Sequence, residues 1–220
     1  MEQMEAIKKR HSVRQYADKP IAAETLAELQ KEADACNREG GLHIQLVTGE
    51  PKAFDGVLAH YGKFSGVTNY IALVGPKGKE LAEKCGYYGE RLVLKCQQLG
   101  LNTCWVALSY SKVPGACRIA SGEKLTAVIA MGYGKTQGAQ HKSKALSQVS
   151  NAGQDTPAWF TEGVEAALLA PTAMNQQKFF FTYADGKVSV KAGMGIYTKM
   201  DLGIVKYHFE LGAGKKLKKS

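Results

Sequence analysis

Five consecutive residues, Arg10-His11-Ser12-Val13-Arg14, place two guanidinium groups and a hydroxyl at alternate positions. In an extended segment alternate side chains share one face, so Arg10, Ser12 and Arg14 are expected to point the same way. A guanidinium is a rigid fork of donors that suits phosphate, and a serine hydroxyl adds one more donor. That face matches a dianionic phosphate; spacing alone leaves an ordinary exposed basic segment as the alternative. A second basic cluster follows at Gln140-His141-Lys142-Ser143-Lys144. Asn175, in the polar stretch Ala170–Gln177, carries an amide that both donates and accepts.

Composition narrows the possibilities. The 220 residues are 45% hydrophobic and 22% charged, enough for a full core in one domain or two joined halves. The net charge of +9 includes four lysines in Lys215-Lys216-Leu217-Lys218-Lys219, a tail expected to fray. A positive body favours anionic ligands such as phosphates and nucleotides, and no base-stacking aromatic pattern or DNA-binding motif points to nucleic acid. Five cysteines form no CxxC pair and are odd in number, which argues for reduced thiols in a cytoplasmic protein. No Cys/His spacing suits a metal. The polar stretch Met1–Arg10 is unlike a signal peptide, and no apolar run approaches the roughly 20 residues that cross a membrane.

The elements that must position these residues read as a mixture. Helices are expected over Met1–Lys9, Glu24–Ala35, Glu80–Leu99, Pro157–Leu169 and Leu202–Leu211, from apolar residues at helical spacing. Asn37-Arg38-Glu39-Gly40-Gly41 is expected to break the second and Gly100 to end the third. Strands are expected at His43–Val47, Tyr70–Gly75, Leu101–Leu108, Leu125–Met131 and Lys178–Tyr183. The last turns at Ala184–Lys187 into a partner beginning Val188-Ser189-Val190. Hairpins mixed with helices suggest an α+β protein with a central sheet.

With the pieces in place, a family resemblance emerges. Arg10-His11-Ser12-Val13-Arg14 resembles the RxSxR opening of the FMN-dependent nitroreductases, and Leu99-Gly100-Leu101-Asn102-Thr103-Cys104-Trp105 resembles their segment beside the flavin. Val128–Tyr133 resembles their late strand ending in Gly-Tyr, and Lys142-Ser143-Lys144 the basic pair after it. Ala170-Pro171-Thr172-Ala173-Met174-Asn175-Gln176-Gln177 is similar to their A-P-S-x-x-N-x-Q motif. The order departs from the family's: the Asn motif is absent after RxSxR, where Ala35–Leu42 stands, and reappears some 130 residues later. Both places share one layout of helix, loop, strand and Gly-containing turn, and Gly89–Gly100 resembles Gly203–Gly212, each ending Leu-Gly. This reads as a degenerate internal duplication, with generic α+β layout as the alternative.

The resemblance implies a nitroreductase-like fold, a mostly antiparallel central sheet flanked by helices, with two pseudo-symmetric halves. Residues 1–150 would form the half with the phosphate motif and 151–220 a degenerate half supplying the Asn loop. It implies FMN, with Arg10, Ser12, Arg14, Lys142 and Lys144 on the phosphate and His11 near the ribityl chain or ring edge. Thr103, Cys104 and Trp105 would pack by the ring, Trp105 and Cys104 mainly as core. Pro171, Thr172, Ala173 and Asn175 would line the flavin, with Gln177 there or orienting the loop. Tyr87, Tyr88 and Arg91 are further candidates for contact, and Tyr207 and His208 are decayed-site residues or core. No catalytic acid or base is implied, because the cofactor carries the chemistry. The implied activity passes hydride from NADH or NADPH to a small-molecule electron acceptor such as a nitroaromatic or quinone. The chain would be a single-chain pseudo-dimer, monomeric or weakly dimeric. A non-catalytic flavin carrier, a specialised flavin reaction such as dehalogenation, and a basic polyanion-binding module remain alternatives.

Overall fold

The apolar runs that read as buried strands form the middle of an antiparallel sheet. In a computed structural model, residues 1–217 are described. Helices α1 (Gln3–Lys9) and α2 (Ala23–Gly40) precede strand β1 (Gln45–Val47), short helix α3 (Val57–Tyr61) and strand β2 (Asn69–Pro76). Helix α4 (Leu81–Gln98), strands β3 (Asn102–Val106) and β4 (Glu123–Gly132), and helices α5 (Leu146–Val149) and α6 (Ala158–Leu168) follow. Strands β5 (Phe179–Ala184) and β6 (Lys187–Ala192) and helix α7 (Thr198–Ala213) complete the order. The fold is α+β, with antiparallel sheet flanked by helices, as expected.

The chain divides into two compact units. One comprises Arg10–Leu81 and Arg91–Gln140; the other comprises Met1–Lys9, Ala82–Glu90 and His141 onward. These spatial units do not follow the division at residue 150 read from motif content. The boundary crosses α4, and α1 belongs with the C-terminal elements.

The first unit is built on the sheet β1-β2-β4-β3, every pair antiparallel. Alternate residues of its strands (Tyr70, Ala72 and Val74; Val128 and Ala130; Cys104 and Val106) share one apolar core with Val13, Tyr16, Phe54 and Phe64. Helix α2 outlasts its expected break. Gly40 is a buried helical residue, and only Gly41, at φ 61°, adopts the left-handed cap, its N–H on the Asn37 carbonyl. The Asn37 amide instead reaches Ile44, donating to its carbonyl at 2.9 Å and accepting its N–H at 2.6 Å. β1 consequently starts at Gln45, not His43.

The second unit packs α6 and α7 on the hairpin β5-β6. Asp185 and Gly186, at φ 50° and 72°, make the two-residue turn that Asp-Gly favours. Phe181 stacks on Phe209 with centroids 4.6 Å apart, and Phe160 meets Phe209 edge-on. Tyr207 and His208 are core residues here. His208 Nε2 lies 2.8 Å from Glu90 Oε1 with both side chains fully buried, and its Nδ1 lies 3.1 Å from the Ala166 carbonyl. The tail is described as far as Leu217. Lys215 Nζ sits 4.0 Å over the Trp159 ring, and Lys216 Nζ lies 2.8 Å from Glu210 Oε2. Lys218 and Lys219 lie outside the described residues.

Helices α4 and α7 cross at two glycines. A Cβ on Gly86 would lie 2.0 Å from the Met200 carbonyl oxygen, and one on Gly203 would lie 2.0 Å from the Glu83 carbonyl oxygen. The contact is reciprocal: each glycine is the sixth residue of its helix and faces the carbonyl three residues before the other. The match of Leu99-Gly100 with Leu211-Gly212 is therefore out of register with this crossing. Moreover α7 does not end there but runs to Ala213, capped by Gly214 in the left-handed conformation. Helices α3 and α5, of five and four residues, escaped the sequence reading because they are too short to show a period. Gly86→Ala or Gly203→Ala forces a methyl into backbone. Either is expected to cost about 3 kcal/mol or more in chemical denaturation, whereas Gly78→Ala, with nothing within 4 Å, should change stability by less than about 0.5 kcal/mol.

Candidate functional site

The structure gathers the sequence-predicted residues into two groups, one in each unit. In the first, Arg10–Arg14 is extended and lies along the start of β3. Ser12 bridges Thr103 in parallel sense, and the Val13 N–H donates to the Thr103 carbonyl at 3.0 Å. Val13 and Tyr16 are buried, and the Tyr16 hydroxyl donates to the Val13 carbonyl at 2.7 Å, so the segment cannot slide along the strand. Tyr16 N–H donates to Ser65 and the Ser65 N–H returns to Arg14, closing the other side.

Arg10 is buried, Ser12 and His11 half-buried, and Arg14 exposed. All three polar residues of the alternating set act on the same thiol. Burial pushes the Cys104 thiol up, while the Arg14 charge, a hydrogen bond with Ser12 and the Arg10 charge pull against it. Thr103 and Cys104 are buried and Trp105 is half-buried. Cys104 is thus a core thiol held in its neutral form, in a region of positive potential. Asn102, which the sequence reading passed over, is buried and ties the loop after β4 to β3. Its Oδ1 accepts the Gly134 N–H at 2.9 Å and its Nδ2 donates to Gln137 Oε1 at 3.1 Å. Gly138 closes on the motif: a Cβ there would stand 2.8 Å from the His11 Cβ.

The second group surrounds the loop Pro171–Gln177. Pro171, Thr172 and Ala173 are half-buried, and the chain then makes a single 3-10 turn, Ala173–Asn175. Met174, Asn175 and Gln177 have φ of 51°, 53° and 45°, three non-glycine residues in the left-handed region within four positions. Such backbone persists only where its surroundings over-determine it. Here Gln177, 2% exposed, is the inner peg. Its N–H donates to Thr172 Oγ1 at 3.0 Å, and its Nε2 donates to the Lys142 carbonyl at 2.8 Å and to Asn175 Oδ1 at 2.7 Å. Its Oε1 accepts the Lys144 N–H at 2.9 Å.

Asn175 Nδ2 donates to the same Lys142 carbonyl at 2.9 Å, leaving the exposed amide one N–H and one lone pair for a ligand. Lys142 presents its backbone to the loop and its side chain outward. Lys144 Nζ donates to the Gln176 and Gln177 carbonyls at 2.8 and 3.0 Å, and these two of its three N–H groups tie down the loop. Asp201, 4% exposed on α7, accepts the Ala173 N–H at 2.9 Å and the Gln176 Nε2 at 2.7 Å. Burial pushes its carboxyl above the ordinary aspartate value, against those two hydrogen bonds. No motif marks Asp201 in the sequence.

Of the further candidates, Tyr87 donates to Glu210 Oε2 at 2.6 Å and packs against Tyr88 and Tyr207. Arg91 pairs with Glu32 and, at 2.7 Å, with Glu39. These are structural contacts.

Over residues 2–213 the chain matches the protein-family model described as "Putative TM nitroreductase". The chain belongs to that family. Among solved structures it is similar to a putative nitroreductase from Thermotoga maritima, with a TM-score of 0.70 and 22% identity, covering 100% of this chain and 89% of that one. A putative NADH dehydrogenase/NAD(P)H nitroreductase from Parabacteroides distasonis gives 0.54 and 21%, covering 69% and 98%. A putative nitroreductase from Desulfovibrio desulfuricans, solved in complex with FMN, gives 0.52 and 14%, covering 71% and 98%. At these identities the likeness shows the fold. No curated protein matches. No helix among the described residues is long and apolar enough to cross a membrane.

The thiols give a check on the site. Cys36, Cys85, Cys96 and Cys104 are buried and Cys117 is half-buried. Burial pushes Cys36 and Cys96 up to about 12. A thiol-reactive dye at pH 8 should therefore modify at most Cys117 in the native protein and all five cysteines after unfolding. Rapid native labelling of Cys104 would assign it a reactive role instead.

Proposed function

We propose that this protein is an FMN-dependent NAD(P)H oxidoreductase that reduces a small-molecule acceptor such as a nitroaromatic or quinone. The observation that carries the reading is the convergence of Arg10, Ser12 and Arg14 on the start of β3, in a chain of the nitroreductase family. The donor sets suit the cofactor. Two guanidinium groups and a hydroxyl match a phosphate of about two negative charges, and the remaining N–H and lone pair of Asn175 match the polar edge of a flavin ring. When bound, FMN would supply the hydride chemistry between NADH or NADPH and the acceptor. Arg10, Ser12 and Arg14 would neutralise and anchor the phosphate, with His11 in the same segment and Thr103, Cys104 and Trp105 on the strand beside it. In the other unit, the spare N–H and lone pair of Asn175 would suit the polar edge of a flavin ring, and Gln177 and Lys144 hold Asn175 in place.

We further propose that the chain is an internally duplicated pseudo-dimer. Two features support this: the order α2-β1-β2-α4, with α3 inserted between its strands, recurs as α6-β5-β6-α7, and α4 and α7 meet in the reciprocal glycine crossing. Each motif occurs once per chain, which favours one flavin per chain.

Two measurements test the proposal. The purified protein should show a flavin spectrum at about one FMN per chain, and NADH or NADPH added anaerobically should bleach it. Flavin that does not bleach favours a storage or sensing role, and protein that takes up no FMN overturns the reading. In FMN titrations, Arg10→Ala combined with Arg14→Ala should weaken binding about 100-fold or more, since each charge-assisted hydrogen bond is worth about 1.5–3 kcal/mol. Unchanged affinity removes the phosphate assignment.

A further inference from the structure

We propose that Asp201 is a positioning residue for the flavin, acting through the Asn175 loop that it clamps; this rests on the function proposed above. The loop holds three of the six non-glycine residues with positive φ among the described residues, Met174, Asn175 and Gln177. Two sets of anchors hold it. Gln177, Thr172 and the Lys142–Lys144 segment hold the C-terminal side. Asp201 spans the turn, one carboxylate oxygen taking the Ala173 N–H before it and the other the Gln176 amide after it. Gln176 Nε2 also donates to the Ile196 carbonyl at 2.7 Å, so both of its hydrogens are committed to acceptors. Met174 and Asn175, exposed and facing a ligand if one binds, lie between these two clamp points.

The geometry requires an acceptor-only group at position 201. An ionised carboxylate accepts on both oxygens. An asparagine keeps one acceptor for Ala173 but turns an NH₂ toward the Gln176 NH₂, so Gln176 must leave either residue 201 or Ile196. The left-handed turn then loses one of its restraints, and the Asn175 amide loses its fixed direction. A buried carboxylate is costly, and burial indeed disfavours its charged form here. Bulk packing does not call for a charge on this face of α7; the loop's two N–H donors do.

The test compares Asp201→Asn and Gln176→Ala with wild type in the full chain. FMN affinity is read by titrating the apoprotein, and the flavin midpoint potential by reductive titration with a reference dye. Both variants should weaken FMN roughly tenfold or more, in line with the loss of one charge-assisted hydrogen bond. Both should also shift the potential in the same direction, with the apoprotein melting within a few degrees of wild type. A potential shift in Asp201→Asn alone would be the effect of a lost charge and would overturn the positioning role, as would unchanged affinity and potential in both variants. Should Asp201→Asn fail to fold, Gln176→Ala decides by itself, because it opens the same clamp and leaves the helix intact. If wild type itself takes up no FMN, the functional reading fails and this inference with it. If wild type binds and both variants match it, only the inference falls.

Discussion

The backbone-to-backbone crossing of α4 and α7 is the constraint on which much of the C-terminal unit depends. Two helices approach this closely only where neither carries a side chain, and Gly86 and Gly203 meet that requirement reciprocally. The crossing fixes Met200, whose carbonyl lies against Gly86, and Asp201 is the next residue along α7. Asp201 in turn clamps the Asn175 loop. A packing contact is thus converted, within two residues, into the placement of a polar group. The same pair of helices carries the fully buried Glu90 and His208, whose mutual hydrogen bond makes their burial tolerable.

The two groups of candidate residues are pre-organised by different physics. The Arg10–Arg14 segment is unstrained and extended; it is held as a strand is held, by the Ser12–Thr103 bridge, the Val13 core contact and the Tyr16 hydroxyl. Its alternation of side chains is then a direct result of backbone geometry. The Asn175 loop is strained, and a surrounding set of hydrogen bonds from Gln177, Thr172, Lys144 and Asp201 maintains it. Strain of this kind is retained where a precise direction is wanted, and here it sets the direction of one exposed amide.

Lys144, Lys215 and Lys216 show how much the surroundings of a charge depend on the tertiary structure. In the sequence they are positive groups available to an anion or to solvent. In the structure Lys144 serves two backbone carbonyls, Lys215 covers the Trp159 ring, and Lys216 pairs with Glu210. An ammonium group on a flexible stem takes the acceptors within reach, and which acceptors those are depends on the path of other segments.

The sequence by itself determined most helices and strands, because their apolar residues repeat at 3.6 or 2 and that period is local. Turn chemistry at Asp185-Gly186 and the extended form of Arg10–Arg14 were legible for the same reason. The motif set was enough to indicate the family. The end of α2 was misjudged because Asn37 finds its partner at Ile44, across the turn, rather than breaking its own helix. The likeness of Gly89–Gly100 to Gly203–Gly212 did not mark the crossing of α4 and α7, because Leu-Gly similarity is a property of spelling, whereas the crossing is decided by where two backbones touch. Asp201, Asn102 and the work of Gln177 were invisible, since each acts on residues far away in the chain. Only the tertiary structure decided these, because a hydrogen bond depends on distance and direction in space, and no local pattern of residues encodes them.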